Sequence, residues 1–274
     1  MSLFQLHLNA TIDFIMAQKK KEIFKPFNSD VGELNLRYKK KIQFLSKLFS
    51  KNTIHYIDYA NVKGSYFKRR WNLDLIRTKN LLDSFTTTSH VKFYYGTIEE
   101  NLHSEKIIDI AKNYNYKVFT KSVKNIKIYF DTSSIPLDSA LMLKKFIRIP
   151  LLKNLNVTDI QNINQILSRL NSQGVTHLVD KKCNFDVEIG VEMLQDANDK
   201  SVQNFILWSG DSDFEYPIKK LMELGKNVVV FCTRGTLSWE LNELKNQGVT
   251  IYHINGIRNL ICFDNERTDL ESKI

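Results

Sequence analysis

The chain has 274 residues, enough for one substantial domain with an appendage. Hydrophobic residues make up 43% and charged residues 25%, a globular balance that excludes a disordered chain. A formal charge of +9 points to a polyanionic partner, and three scattered cysteines without a C-x-x-C argue against a disulfide framework or thiolate zinc site.

No apolar run approaches the roughly 20 residues that a membrane span needs. The opening "MSLFQLHLNATIDFIMAQKKK" lacks a basic stretch at its start, and Asn9 and Asp13 interrupt its apolar part, so it does not read as a signal peptide. The expectation is a cytoplasmic protein that engages no membrane. Through Lys51 there are 10 Lys and Arg against 4 Asp and Glu, a local charge of +6. Here "SDVGELNLRYKKKIQFLSKLFSK" predicts one helix, with Asp30 and Glu33 at capping-box spacing. Tyr38, Ile42, Leu45 and Phe49 form its apolar stripe, opposite Lys39, Lys40, Lys41 and Lys47. Such a helix packs on the main domain with a solvated basic face, or it clamps nucleic acid.

From Thr53 the pattern alternates between strand and helix. "TIHYIDYA" reads as a strand, "RRWNLDLIRTKNLLDSF" as a helix, "HVKFYYGT" as a strand, "ENLHSEKIIDIAKNYN" as a helix and "YKVFTKSV" as a strand. After an irregular stretch with one apparent helix, "TDIQNINQILSRLNSQG", come "NFDVEIGVEMLQDA" (helix), "NFILWSG" (strand) and "EYPIKKLMELG" (helix). "NVVVFC" (strand), "TLSWELNELKNQG" (helix) and "VTIYHI" (strand) close the run. Alternation of this kind, with Gly225 and Gly248 just past helix ends, predicts a three-layer α/β/α sandwich on a mainly parallel sheet. The expected division is a basic helical extension over 1–51, the α/β domain over 52–264 with an insertion at about 125–180, and a tail over 265–274.

"ILWSGDSDFEYP" drives an apolar strand into two aspartates, Asp211 and Asp213, with no counter-charge nearby. Asp58 ends the first strand in the same way. In an open parallel sheet, sites form beyond the carboxyl ends of strands where the strand order switches. If the two strands are neighbours, three carboxylates meet there and repel unless they share a cation, and an all-oxygen site suits Mg²⁺ or Mn²⁺. Gly210 is expected to allow a sharp turn at that point. Asp213 alone reads equally as a helix cap, with Ser212 and Glu215 at capping-box spacing.

The segments "YIDYANV", "KKCNFDVEIGVEML", "LWSGDSDFEYPIKKLMELGKNVVVF" and "SWELNELKNQGVTIYHI" resemble, in order and context, the NYN domain, the LabA-like branch of the PIN-like nucleases. The resemblance runs over about Thr53 to Ile254 apart from the insertion. It implies a metal-dependent endoribonuclease that leaves 5′-phosphates. Catalytic and metal-binding positions fall on Asp58, Asp186, Asp211 and Asp213, with Asn61 and Ser238 as polar positions near the site. The sequence departs from the family's usual Lys-Gly-Val-Asp-Val at "KKCNFDV", and a further family acid corresponds to Glu192. On a helix Glu188 lies about 160° from Asp186 and is expected to face away.

Bound by these acids, Mg²⁺ or Mn²⁺ polarises a phosphoryl oxygen and activates a water for in-line attack. For holding RNA, single-stranded or structured, the basic and aromatic loop after the first acidic motif offers Lys63, Tyr66, Phe67, Lys68, Arg69 and Arg70. Lys181, Lys182 and Arg234 would add a basic rim, Arg234 also serving to position substrate. Phe67 and Trp71 read equally well as core residues of a following helix. The six histidines show no ligand spacing and are assigned no role. A homo-oligomer is allowed for. Two alternatives stand beside the nuclease: a non-catalytic RNA-binding scaffold with the same fold, and a haloacid-dehalogenase-like phosphatase. The latter needs Asp-x-Asp on the first strand, where Asp58 is followed by Tyr59 and Ala60.

Overall fold

A computed structural model describes residues 23–63, 71–98, 101–147, 149–233 and 235–264. They fall into two compact units, one made by the chain up to Lys121 and from Phe185 onward, the other by Ser122–Asn184. In chain order the first unit begins with helices α1 (Ser29–Arg37) and α2 (Lys39–Leu48), then β1 (Thr53–Asp58) and the short helix α3 (Tyr59–Val62). Strand β2 (Trp71–Leu73), helix α4 (Leu75–Asp83), strand β3 (Thr88–Thr97), helix α5 (Leu102–Asn113) and strand β4 (Lys117–Ser122) follow. The second unit holds β5 (Lys124–Tyr129), α6 (Ile149–Leu152), α7 (Val157–Ser172) and β6 (His177–Lys182). The first unit resumes with α8 (Asp186–Asp196), β7 (Asn204–Trp208), α9 (Glu215–Glu223), β8 (Asn227–Cys232), α10 (Trp239–Glu243), β9 (Thr250–His253), α11 (Arg258–Ile261) and β10 (Cys262–Asp264).

Six strands form the central sheet in the order β4-β3-β1-β7-β8-β9. The pairings β1–β3, β1–β7, β7–β8 and β8–β9 are all parallel, as strand-helix alternation requires. The chain builds outward from β1 through β3 to β4, then crosses to β7 and builds outward the other way. The strand order therefore switches between β1 and β7. Both strands are almost wholly buried, in keeping with their unbroken apolar runs.

Side-chain alternation gives the sheet two covered faces. On one, Ile57, Phe93, Ile206, Trp208, Val229 and Phe231 join a core with residues of α1, α2, α4, α5 and α11. On the other, Tyr56 stacks on Phe205 and its hydroxyl donates to Asp196 of α8 at 2.5 Å. The result is a three-layer α/β fold with a mainly parallel sheet. No helix among the described residues is long and apolar enough to cross a membrane.

Two local expectations are corrected. The predicted single helix over 29–51 is two, broken at Tyr38 (φ −122°, ψ 36°), and its cap is Asn28, whose Oδ1 accepts from the Val31 N–H at 3.0 Å, rather than a box built on Asp30. The helix predicted from Arg69 starts only at Leu75, because Asp74 caps it by accepting from the N–H groups of Ile76 and Arg77. Trp71–Leu73 instead forms β2, antiparallel to β10, and the Trp71 ring is buried rather than offered for stacking. The insertion expected at about 125–180 has a structure of its own, a two-stranded antiparallel sheet of β5 with β6 and a small apolar core around Phe130, Leu143 and Leu167.

Ile42, Leu45 and Phe49 of the amino-terminal helices lie in the main core. Phe49 meets Phe85 and His55 edge-on, each with ring centroids 4.9 Å apart. Phe49→Ala should therefore lower unfolding stability by about 3–5 kcal/mol, measured by urea titration. A cost near zero would mean that this segment is peripheral to the fold.

Candidate active site

Pairing of Ile57 with Trp208 puts the carboxyl ends of β1 and β7 side by side. Asp58, the last residue of β1, receives a hydrogen bond from Ser209 Oγ (3.2 Å). The same Ser209 oxygen accepts from the Asp211 N–H (3.3 Å). One buried hydroxyl thus ties the two acid-bearing chain ends together. Asp211 Oδ1 accepts from the Asp213 N–H at 3.3 Å, so Asp211 is the cap of this turn. The reading of Asp213 as a helix cap is corrected, since α9 begins after Phe214 with no side-chain cap.

Gly210 is needed for space rather than for a sharp turn. Its φ is not in the left-handed region, but a Cβ there would lie 2.3 Å from the Thr236 carbonyl oxygen. That close approach lets the Ser238 N–H donate to the Gly210 carbonyl at 2.8 Å. Ser238 in turn caps α10, accepting from the Leu241 N–H at 3.2 Å. Asn61 Oδ1 accepts from the Gly210 N–H at 3.2 Å. Both residues carried over as polar positions therefore bond within the protein and shape the Gly210 turn.

Asp186 enters from α8, at its first residue. Helix α8 is held to the sheet by Lys92 of β3, a buried lysine paired with Glu192 and, at 2.6 Å, with Asp196. Glu188 faces the other way and pairs with Lys121 at 2.5 Å, as helical geometry predicts. Glu192, the position of the further family acid, is drawn to Lys92. These ion pairs were not legible from spacing within the helix, because both lysines come from other strands.

The four carboxylates act on one another. Burial pushes the Asp58 carboxyl up to about 6, bonds from Ser209 and the Asn61 N–H oppose this, and the Asp211 charge adds to it. Asp186 is pushed up to about 7 by desolvation first, then by the charges of Asp211, Asp58 and Asp213, and by a hydrogen bond with Asp213. Among the described residues, no group of three or more His, Cys, Asp or Glu side chains is arranged to hold a metal ion as the side chains stand. The acids are joined pairwise instead, through Ser209, a backbone N–H and the Asp186–Asp213 hydrogen bond. In donor chemistry they fit a divalent cation, being all-oxygen, anionic and mutually repelling.

The other expected positions are spread out. Lys63 is exposed and lines a groove of about 670 Å³ with Tyr59, Asp74, His103 and Lys106. Lys181 and Lys182 are exposed on β6 of the second unit. Tyr66, Phe67, Lys68, Arg69, Arg70 and Arg234 lie outside the described residues. Two contributors were missed in the sequence. Ser209 precedes Gly210 in "WSGDSD" and carried a signal only as a polar residue at a buried strand end. Lys92 carried a clearer one: a lysine in the middle of the apolar strand "HVKFYYGT" needs a buried counter-charge.

Residues 128–251 match the family model of the NYN domain. That span contains Asp186, Asp211, Asp213 and Ser238, while Asp58 and Asn61 precede it. No curated protein matches the chain significantly. Among solved structures, a protein of unknown function from Vibrio parahaemolyticus is similar, with a TM-score of 0.46 and 16% identity over 74% of this chain and 93% of that one.

Raised carboxyl pKa values have a consequence for stability. The folded chain holds protons on Asp58 and Asp186 that the unfolded chain releases from about pH 4, so their contribution is full below that pH and lost as pH rises through about 6–7. Asp211→Asn removes one of the repelling charges. In chelator, this variant should be more stable than wild type at pH 8, with the gap closing toward pH 4. Chemical denaturation across pH tests this, and a gap independent of pH would show that the acids are not coupled.

Proposed function

We propose that the chain, whose residues 128–251 match the NYN domain model, is a metal-dependent endoribonuclease acting through Asp58, Asp186, Asp211 and Asp213. The observation that carries this reading is the convergence of Asp58 and Asp211 at the switch in strand order, with Asp186 coupled electrostatically to both. Burial and neighbouring carboxylates raise the pKa of Asp58 and Asp186 at a strand edge, a perturbation of the kind that functional sites use.

Asp58, Asp186 and Asp211 would hold the cation, Mg²⁺ or Mn²⁺. When bound, such an ion neutralises phosphoryl charge and makes water a better nucleophile. The protein's own share is positioning and proton handling. Ser209 fixes the Asp58 carboxylate, and the Asp213 N–H fixes that of Asp211. Lys92 anchors α8, and with it Asp186. Without a cation Asp186 shares a hydrogen bond with Asp213 and is pushed up to about 7, so binding the cation would displace that proton. RNA is the substrate that the family implies and the charge of +9 favours.

A non-catalytic RNA-binding protein is the second reading, favoured by carboxylates that join pairwise rather than around one point. Incubating the purified chain with single-stranded and structured RNAs in Mg²⁺, Mn²⁺ or EDTA separates the two. Metal-dependent cleavage is expected, and its absence with RNA binding intact would favour the second reading.

Asp211→Asn and Asp186→Asn should each slow cleavage by at least about 100-fold, the upper end for losing a residue that only supports a metal ligand. RNA binding should stay similar or tighten. Glu188→Gln should cleave normally, since its carboxylate is engaged with Lys121. Rates for the three variants over an Mn²⁺ titration check the assignment. Full activity in Asp186→Asn with loss in Glu188→Gln would overturn it.

A further inference from the structure

Three large apolar side chains close in sequence to the acid-bearing segments stand exposed. Val187 (74% exposed) follows Asp186, Tyr216 (67%) comes three residues after Asp213, and Trp239 (72%) follows Ser238. The elements that carry them, α8, α9 and α10, all pack against the Ser212–Phe214 turn, and α9 also packs against α8. The Ser238–Gly210 hydrogen bond pins the start of α10 to the residue before Asp211. Each side chain thus comes from an element that also contributes to the acid site or abuts it.

Such exposure is costly unless something covers these groups. We infer that Trp239 and Tyr216, with Val187 adding apolar surface, form a stacking rim for the unpaired bases of a single-stranded RNA. The inference rests on the ribonuclease reading and narrows its substrate to unpaired strands. Stacking on an aromatic ring is open to any base, whereas bases inside a duplex already stack on one another. Lys220 Nζ lies over one face of the Tyr216 ring, 5.6 Å from its centroid, so a base would stack on the other face. The chain's +9 charge suits a polyanion, yet the residues next to the rings include Glu215 and Glu240. Phosphates are therefore held elsewhere, and the rim reads bases.

That division is measurable. Fluorescence anisotropy in EDTA, which stops cleavage, should compare a labelled single-stranded RNA, the same strand with central abasic sites, and a blunt duplex. Wild type should prefer the intact single strand. Trp239→Ala and Tyr216→Ala should each weaken its binding about tenfold, without changing the salt dependence, and Trp239→Phe should retain most of it. Abasic and duplex probes should bind all variants alike. Unchanged affinity of Trp239→Ala for the single strand overturns the rim, as does an equal loss for all three probes. Should Trp239→Ala instead turn a dimer into a monomer with RNA binding intact, the rings belong to an interface between copies and the inference falls.

Cleavage assays keep the two readings apart. Ring-dependent binding without metal-dependent cleavage leaves the rim standing and removes the nuclease. Cleavage with unaltered binding by the ring variants does the reverse. No binding of any probe by wild type overturns the rim, and no cleavage in Mg²⁺ or Mn²⁺ besides overturns both.

Discussion

Everything at the sheet edge follows from the parallel pairing of β1 with β7. These strands are far apart in sequence, and only their register, Ile57 beside Trp208, sets Asp58 next to Ser209. A slip of one residue would turn every side chain to the opposite face and take Asp58 away from α8. The register is fixed by burial on both faces. Trp208 packs on Phe231 at 4.7 Å on one side, and Tyr56 stacks on Phe205 on the other. The apolar core thereby dictates where the charges stand.

The acids strain against this arrangement, and the protein opposes them with local donors and one distant cation. Ser209 and backbone N–H groups stabilise individual carboxylates without adding charge. Lys92 works differently, drawing Glu192 and Asp196 of α8 down to the sheet and so anchoring the helix that begins at Asp186. A buried lysine is expensive to desolvate, and two carboxylates offset that cost. Without them its charge would stand unpaired in the core.

Most of the layered architecture was legible because strand and helix periods alternate cleanly from Thr53 onward. The convergence of Asp58 with Asp211 was also legible, given the rule that sites form at the switch in strand order. What failed was local. The break at Tyr38 and the late start of α4 depend on competing caps, Asn28 and Asp74, that periodicity does not weigh. The reason for Gly210 lay in a second chain segment, Thr236–Ser238, that no spacing in "SGDSD" could announce. Strand β2 pairs with β10 almost 190 residues away, and three residues are too few for a pattern.

The clasp between β4 and α8 bears on how the chain accommodates Ser122–Asn184. Lys121 and Phe185 flank that excursion, and Lys121 Nζ lies 4.7 Å from the Phe185 ring centroid while it also pairs with Glu188. The excursion leaves and rejoins the α/β unit at a single doorway. Its two ends are already closed by residues of the host, so the entropy of closing it grows only slowly with whatever length is threaded through. The host fold can then tolerate lengthening, shortening or exchange of this segment without re-registering its sheet.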